Sequence, residues 1–513
     1  MYFFLLFLFF FQVLFAHDIN TLSLDEKIGQ LFIVPARFSP DGSHRENLLD
    51  IIHDYHIGGI ILKQGDPLSQ VKLIQELQME SKIPLLCVQD AEWGLSMRLS
   101  DTVKFPRNLT LGAIQDDDLI YQLGKEIGRT CKKVGTHVNL APIVDVNNNP
   151  CNPVIHMRSF GENPHSVARK AVAYLHGLAS EGILGCAKHF PGHGDTAVDS
   201  HFDLPIIYHS LEHLSKVELY PFVAAIEAGI PCVMSAHLSF PAFEPFLPVT
   251  FSSKMITELL KQKMGFQGLV ITDALNMKAL TNYYPAKEIG LKALLAGHDL
   301  LLYGDHIAPN IERILTQDVP EAFNRIKQAI LDGELQEKEL DEHVDKILKI
   351  KEKLDFSLSS DNLLEEINSP EAKELKRQLY RSAITLVSNP DHLLPLSSPG
   401  HYALLSNGKN FIPHCDYYFH DQRDVLFANL KRYDAVIVGL YEKPTEELIE
   451  WIHTVRKTLP VIIVLFQTPY CLLPFDPSLT LIMAYENDPD AEEAAKDLIF
   501  GQLIPTGKLP ISY

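Results

Sequence analysis

Two stretches of the chain concentrate side chains able to move protons or attack carbon. The first is Lys188-His189-Phe190-Pro191-Gly192-His193-Gly194-Asp195-Thr196, followed by Asp199-Ser200-His201 and then Leu204-Pro205. Lys188 and His189 close an apolar run, and two glycines with a proline shape a tight loop after it. Asp199 and His201 stand two apart, a spacing that lets a carboxylate orient an imidazole and raise its basicity. A loop with three histidines and two aspartates has three readings: a metal site, an acid/base device, or a hydrogen-bonded structural loop. The second stretch is Leu269-Val270-Ile271-Thr272-Asp273-Ala274-Leu275-Asn276-Met277, in which Asp273 directly follows an apolar run. A lone aspartate there is ordinarily a helix cap or a salt-bridge partner. Paired with a proton donor, it is instead suited to nucleophilic attack on a sugar carbon. His201 is the candidate donor.

These residues need a frame that brings remote segments together. Short apolar runs recur as LFIVPA (from Leu31), GIILK (from Gly59), PLLCVQD (from Pro84), HVNLAPIVDV (from His137), ILGCAKHF (from Ile183), IPCVMSAH (from Ile230), GLVITDAL (from Gly268) and DLLLYGD (from Asp299). Being almost continuously apolar, they read as strands buried on both faces. Amphipathic segments lie between several of them, including Leu119 to Val134, Pro164 to Glu181 and Ser252 to Met264. Eight buried strands with crossover helices predict a closed TIM-type (β/α)8 barrel over residues 17–354. Asp90, Asp145, His189, His237, Asp273 and Asp305 fall at or just past the C-terminal ends of these strands, the end that carries chemistry in this fold. Metal-dependent barrel hydrolases usually offer an H-x-H pair on the first strand, and LFIVPA holds no histidine. That weakens the metal reading without removing it.

Glu321 to Leu354 is helical in pattern and highly charged, and Asp355 to Glu371 is Ser-, Asp- and Glu-rich and reads as a linker. A second unit, 372–513, begins with a helix from Ala372 to Arg381. It continues with the strand-like runs AITLVSN (from Ala383), DAVIVGL (from Asp434), PVIIVLF (from Pro460) and LTLIMAY (from Leu479). Interleaved helical segments predict a smaller open-sheet α/β sandwich. No Gly-rich phosphate loop follows these strands, so nucleotide binding is unsupported.

The net charge of −20 over 513 residues argues against nucleic acid or anionic lipid as the main partner, because phosphate binding needs concentrated Lys and Arg. A neutral or polar small molecule fits better. The seven cysteines are scattered without CxxC pairing and read as buried free thiols. Met1 to Ala16 is apolar apart from Gln12, a length suited to a signal peptide. Export to the periplasm or medium is expected if the segment is used as a signal. The alternatives are a membrane anchor at the N-terminus or a cytoplasmic protein. Ser23-Leu24-Asp25-Glu26 has capping-box spacing and predicts a first helix.

The segment KHFPGHGDT with DSH, Lys188 to His201, closely resembles the signature of glycoside hydrolase family 3 β-N-acetylglucosaminidases of the NagZ type, in their two-domain form. Asn139-Leu140-Ala141-Pro142 through Asp145, and Arg158-Ser159-Phe160-Gly161, are similar to the family's NxAPxxD…RSFG segment. The resemblance also takes in Ser235-Ala236-His237, the ITDAL strand and the C-terminal GKLPIS. It implies that Asp273 is the nucleophile and His201 the general acid/base, with Asp199 orienting it. It further implies that Asp90, Arg98, Arg158, Lys188 and His189 bind the first sugar. The implied reaction is release of terminal β-linked N-acetylglucosamine through a glycosyl-aspartate, from muropeptides or other small oligosaccharides, with no metal or organic cofactor. Two departures border the sugar site: the usual D-x-E-G-G-x-V-x-R reads Asp90-Ala91-Glu92-Trp93-Gly94-Leu95-Ser96-Met97-Arg98, with Trp93 in place of a glycine, and His156-Met157 precede Arg158 where a smaller or acidic pair is common. The nearer alternative is a β-glucosidase of the same family; those usually lack the HGDT…DSH loop, so its presence here argues against that activity. A metal-dependent amidohydrolase on the same barrel is the alternative of another class.

Overall fold

The computed structural model of the chain describes residues 18–37, 42, 44–305, 310–397, 400–472 and 474–513. The apolar run Met1 to Ala16, expected to be a signal peptide, lies outside them, and no described helix is long and apolar enough to cross a membrane. Eight short strands form one parallel sheet: β1 Phe32–Ala36, β2 Gly59–Leu62, β3 Leu86–Gln89, β4 Val138–Asn139, β5 Leu184–Phe190, β6 Cys232–Ser235, β7 Leu269–Thr272 and β8 Leu301–Leu302. Their order is β8-β1-β2-β3-β4-β5-β6-β7, and a bridge between Ile271 and Leu300 joins the two ends. Across that seam Asp299 N donates to Val270 O at 2.8 Å and Leu275 N to Leu302 O at 2.9 Å. The sheet therefore closes as a barrel. Nearly every strand residue is buried, which explains why the runs are continuously apolar instead of alternating.

Crossover helices form where the apolar spacing places them, at Asp117–Lys133 and Pro164–Ser180 among others. The first helix, Leu24–Gly29, opens with the capping box: Ser23 N donates to Glu26 Oε2 at 2.8 Å and Glu26 N to Ser23 Oγ at 3.2 Å. The fourth run departs from expectation, because β4 pairs over two residues only. Pro142 has no N–H to give a ladder, and past β4 the contact with β5 continues only through Cys186 N to Ala141 O at 2.7 Å, Lys188 N to Pro142 O at 3.4 Å and the bridge of Ile143 with Lys188.

The second unit carries a six-stranded mixed sheet: β9 Thr385–Ser388, β10 Tyr402–Ser406, β11 Asp416–Phe419, β12 Ala435–Leu440, β13 Val461–Leu465 and β14 Thr480–Met483. In the order β9-β14-β13-β12-β10-β11, β9 runs antiparallel to β14 and the other pairs are parallel. The sequence pattern does not reveal β10 and β11; β11 is mostly exposed and has no apolar run to mark it. The segment 355–371 is not all linker either. It holds a helix, Leu363–Ile367, that buries both of its end residues. The next helix starts at Pro370, with Ser369 Oγ capping Ala372 N at 3.1 Å.

The two units meet beside the barrel mouth. Glu486 Oε1 accepts from Arg107 N at 2.8 Å and from Thr110 Oγ1 at 2.7 Å. The C-terminal tail returns to the barrel, where Glu162 N donates to Pro510 O at 3.1 Å. At Gly161, whose φ is +141°, an added Cβ would lie 2.5 Å from Pro510 O, so the last residue of RSFG is held to glycine by the tail. All seven cysteines are free; five are buried, Cys471 is half-buried and Cys151 is at the surface.

Candidate active site

Strand ends deliver most of the mouth. Asp90 follows β3, and its carboxylate pairs with Arg98 on one side and with Lys188 Nζ at 2.9 Å on the other. Lys188 also lies 3.1 Å from Glu92 Oε1. Glu92 in turn grips Arg158 through both oxygens, at 2.7 and 3.1 Å. Five charges from three segments thus form one continuous network. Glu92 is fully buried; burial alone would raise its pKa, but the Arg158 and Lys188 cations reverse this and hold it at about 2. Neither its role nor its burial was apparent in the sequence, although it sits two residues from Asp90. Trp93, next to it, stacks under Arg107 at 5.3 Å.

The loop after β5 divides its histidines among separate tasks. Asp145, buried, pairs with His189 Nδ1 at 2.7 Å and accepts from the backbone N–H groups of His189 at 3.1 Å and His193 at 2.7 Å. Burial tends to raise the Asp145 pKa, yet the histidines and N–H groups around it leave it lowered. His193 is buried too, between Thr196 Oγ1 at 2.8 Å and Ser200 Oγ at 3.2 Å. Burial pulls its pKa down to about 4, so it is a neutral structural hub. Gly194 shows why the loop can fold so tightly: an added Cβ there would stand 1.7 Å from Val146 O. His201 is the half-buried member, with Nδ1 2.7 Å and backbone N 2.8 Å from Asp199 Oδ1.

Asp273 follows β7. Its backbone N donates to Ser235 O at 3.1 Å, and its Oδ1 accepts from Ala274 N at 2.7 Å. Two buried neighbours tie it to the rest of the mouth. Lys63, at the end of β2, lies 3.6 Å from Asp305 and has its pKa lowered to about 8, chiefly by burial; Asp90, Asp305 and Asp273 oppose that shift and Arg98 adds to it. His237 holds Thr250 Oγ1 at 2.7 Å and Ala274 O at 3.0 Å. Burial lowers its pKa; Asp273 opposes this, while His201 and His189 push further down. The field at His237 therefore includes both the loop histidine and the strand aspartate. Direct contacts reinforce this placement: Tyr283 Oη donates to Asp203 Oδ1 at 2.5 Å and Asn282 Nδ2 to Phe202 O at 3.2 Å. The loop bearing His201 is thus fastened to the segment that follows Asp273.

The structure brings Asp90, Arg98, Arg158 and Lys188 together and places His189 beside them on Asp145. Asp273 shares their mouth through Lys63, and His201 with Asp199 lies on the loop tied over it. Lys63 was the other residue missed; only its position at the end of GIILK could have signalled it. The second unit contributes at the rim, where Tyr470 Oη receives Asn147 Nδ2 at 2.5 Å and its ring lies 5.2 Å from that of His156.

A closed parallel barrel with a charged C-terminal mouth and a smaller α/β unit at its side defines a barrel enzyme of the two-domain kind. Residues 23–350 match the glycosyl hydrolase family 3 N-terminal domain. Beta-hexosaminidase A of Pseudoalteromonas piscicida is 30% identical over 414 residues, covering 73% of this chain and 69% of that protein. Beta-N-acetylglucosaminidase/beta-glucosidase of Cellulomonas fimi is 27% identical over 387 residues, covering 73% of this chain and 66% of that protein. Among solved structures, a glycoside hydrolase family 3 beta-N-acetylglucosaminidase from Paenibacillus sp. str. FPU-7 is similar with a TM-score of 0.79 and 28% identity, over 96% of this chain and 99% of that one. The chain belongs to glycosyl hydrolase family 3.

Proposed function

We propose that the protein is a retaining β-N-acetylhexosaminidase that releases terminal β-linked N-acetylglucosamine, with small peptidoglycan fragments as its substrates. The relatives named above carry this activity in their names, and the charged network suits a sugar. Carboxylates accept from ring hydroxyls, while Lys188 and Arg158 donate to hydroxyl and carbonyl oxygens. In the first step an Asp273 oxygen bonds to the anomeric carbon as the bond to the leaving oxygen breaks. The His201 proton passes to that oxygen. In the second step water attacks the same carbon, its proton returns to His201, and the Asp273 carboxylate leaves. Asp199 at Nδ1 assigns the transfer to Nε2. The observation that carries this reading is the fastening of the His201 loop to the segment after Asp273. On this reading the apolar N-terminus directs export toward the cell wall.

Turnover of chromogenic β-N-acetylglucosaminide and β-glucoside, with and without chelator, tests it. The wild type favours the N-acetylated substrate and is not abolished by the chelator, as a metal-dependent amidohydrolase would be, and Asp273→Ala abolishes turnover. His201→Ala slows it by about 10²–10⁴-fold. Activity surviving Asp273→Ala removes the nucleophile assignment. Preference for the glucoside, the second activity in the Cellulomonas fimi relative's name, shifts the substrate instead.

A further inference from the structure

Beyond the mouth, one cluster of ligand-capable side chains converges among the described residues: His209, His213 and Glu218, whose ligand atoms all lie within 4.8 Å of one another. It sits at the root of the His201 loop. The segment entering it is pinned by Ile207 N to Ser239 O at 3.0 Å, and a Cβ on Gly192 would meet Glu218 Cβ at 2.7 Å. Asp195, from the same loop, places Oδ2 2.6 Å from His209 Nε2. Glu218 is only 2% exposed; its carboxylate and Nε2 of His209 and His213 lie against one another and Asp195 without a well-directed hydrogen bond among them, and Asn148 is the amide donor beside Glu218.

We propose that His209, His213 and Glu218, with Asp195 as the fourth group, bind a divalent transition-metal cation of the zinc class and so fix the root of the loop that carries Asp199 and His201. Zinc bonds of about 2.0–2.2 Å place tetrahedral ligand atoms ~3.3–3.6 Å apart. His213 Nε2 and His209 Nε2 stand 3.3 and 3.8 Å from Glu218 Oε1, and Asp195 Oδ2, in direct contact with His209 Nε2 at 2.6 Å, has to draw back by roughly 1 Å to share the ion. Two neutral imidazoles and two carboxylates balance the cation's charge. The role is structural and separate from the sugar chemistry, which needs no metal.

Zn²⁺ binding to the full chain tests this, measured by competition with a chromophoric chelator. A Cys151→Ser background removes the one exposed thiol. One equivalent binds, and Co²⁺ in its place gives the visible bands of tetrahedral coordination. His213→Ala, at a half-exposed position, weakens binding by more than ~100-fold, beyond the range of an outer-shell partner. Asp195→Asn weakens it by at least ~10-fold. His176→Ala, at the surface, leaves it unchanged. Zn²⁺ raises the melting temperature of the background protein and not that of His213→Ala. Absence of a bound equivalent, or unchanged affinity in His213→Ala, overturns the proposal. None of these readouts uses glycoside turnover, so the result is independent of the proposed function.

Discussion

Replacing Glu92 with Gln tests the logic of the charged network most directly. The side chain is fully buried between Arg158 and Lys188. Glutamine keeps the shape and removes the charge. In the folded protein the Glu92 pKa falls from its ordinary 4.5 to about 2, which corresponds to ~3 kcal/mol of preference for the charged form. An independent scale agrees: removing one partner of a buried ion pair costs about 3–5 kcal/mol. Glu92→Gln is therefore expected to lower stability by ~3 kcal/mol at pH 7. With an m-value of about 3 kcal/mol/M, its urea midpoint drops by about 1 M. The sign of the pH dependence follows from the depressed pKa. The stabilisation is complete above pH 4.5 and is lost as pH falls toward about 2. The gap between wild type and variant is thus constant from neutrality down to pH 5 and narrows in more acid solution. Urea titrations at several pH values measure it. A gap below ~0.5 kcal/mol at pH 7, the range of an ordinary surface substitution, refutes the claim that Arg158 and Lys188 depend on Glu92.

Two further outcomes follow from the mouth. Lys63 has its folded pKa lowered by burial from 10.5 to about 8, so the unfolded chain binds the extra proton between these values and stability rises with pH across that window. Lys63→Met makes this rise shallower; urea midpoints from pH 8 to 10 with an unchanged slope contradict it. Tyr283→Phe removes the hydroxyl that holds Asp203. Because both groups are exposed, melting temperature stays constant while kcat falls severalfold, and steady-state kinetics with an unchanged kcat would show that the tether does not position the His201 loop.

Much of the frame was legible because its cause is local. A strand buried on both faces must be apolar throughout, so eight such runs with amphipathic segments between them announced a parallel barrel. The Asp199-Ser200-His201 spacing likewise announced a carboxylate–imidazole pair, and both residues do meet at 2.7 Å. Strand β11 escaped notice because an exposed edge needs no apolar pattern. Leu363–Ile367 hid inside a polar stretch because burying two side chains takes only two apolar residues.

What the sequence determined by itself was the set of reactive types and the strand ends from which they project. Only the tertiary structure decided which of three loop histidines is a neutral hub and which is held by the buried Asp145. Likewise, it alone revealed that Glu92 and Lys63 belong with Asp90. The reason is that a side chain's charge state and partner depend on burial and on groups up to hundreds of residues away in the chain. Periodicity records which face of an element is covered, but not what covers it.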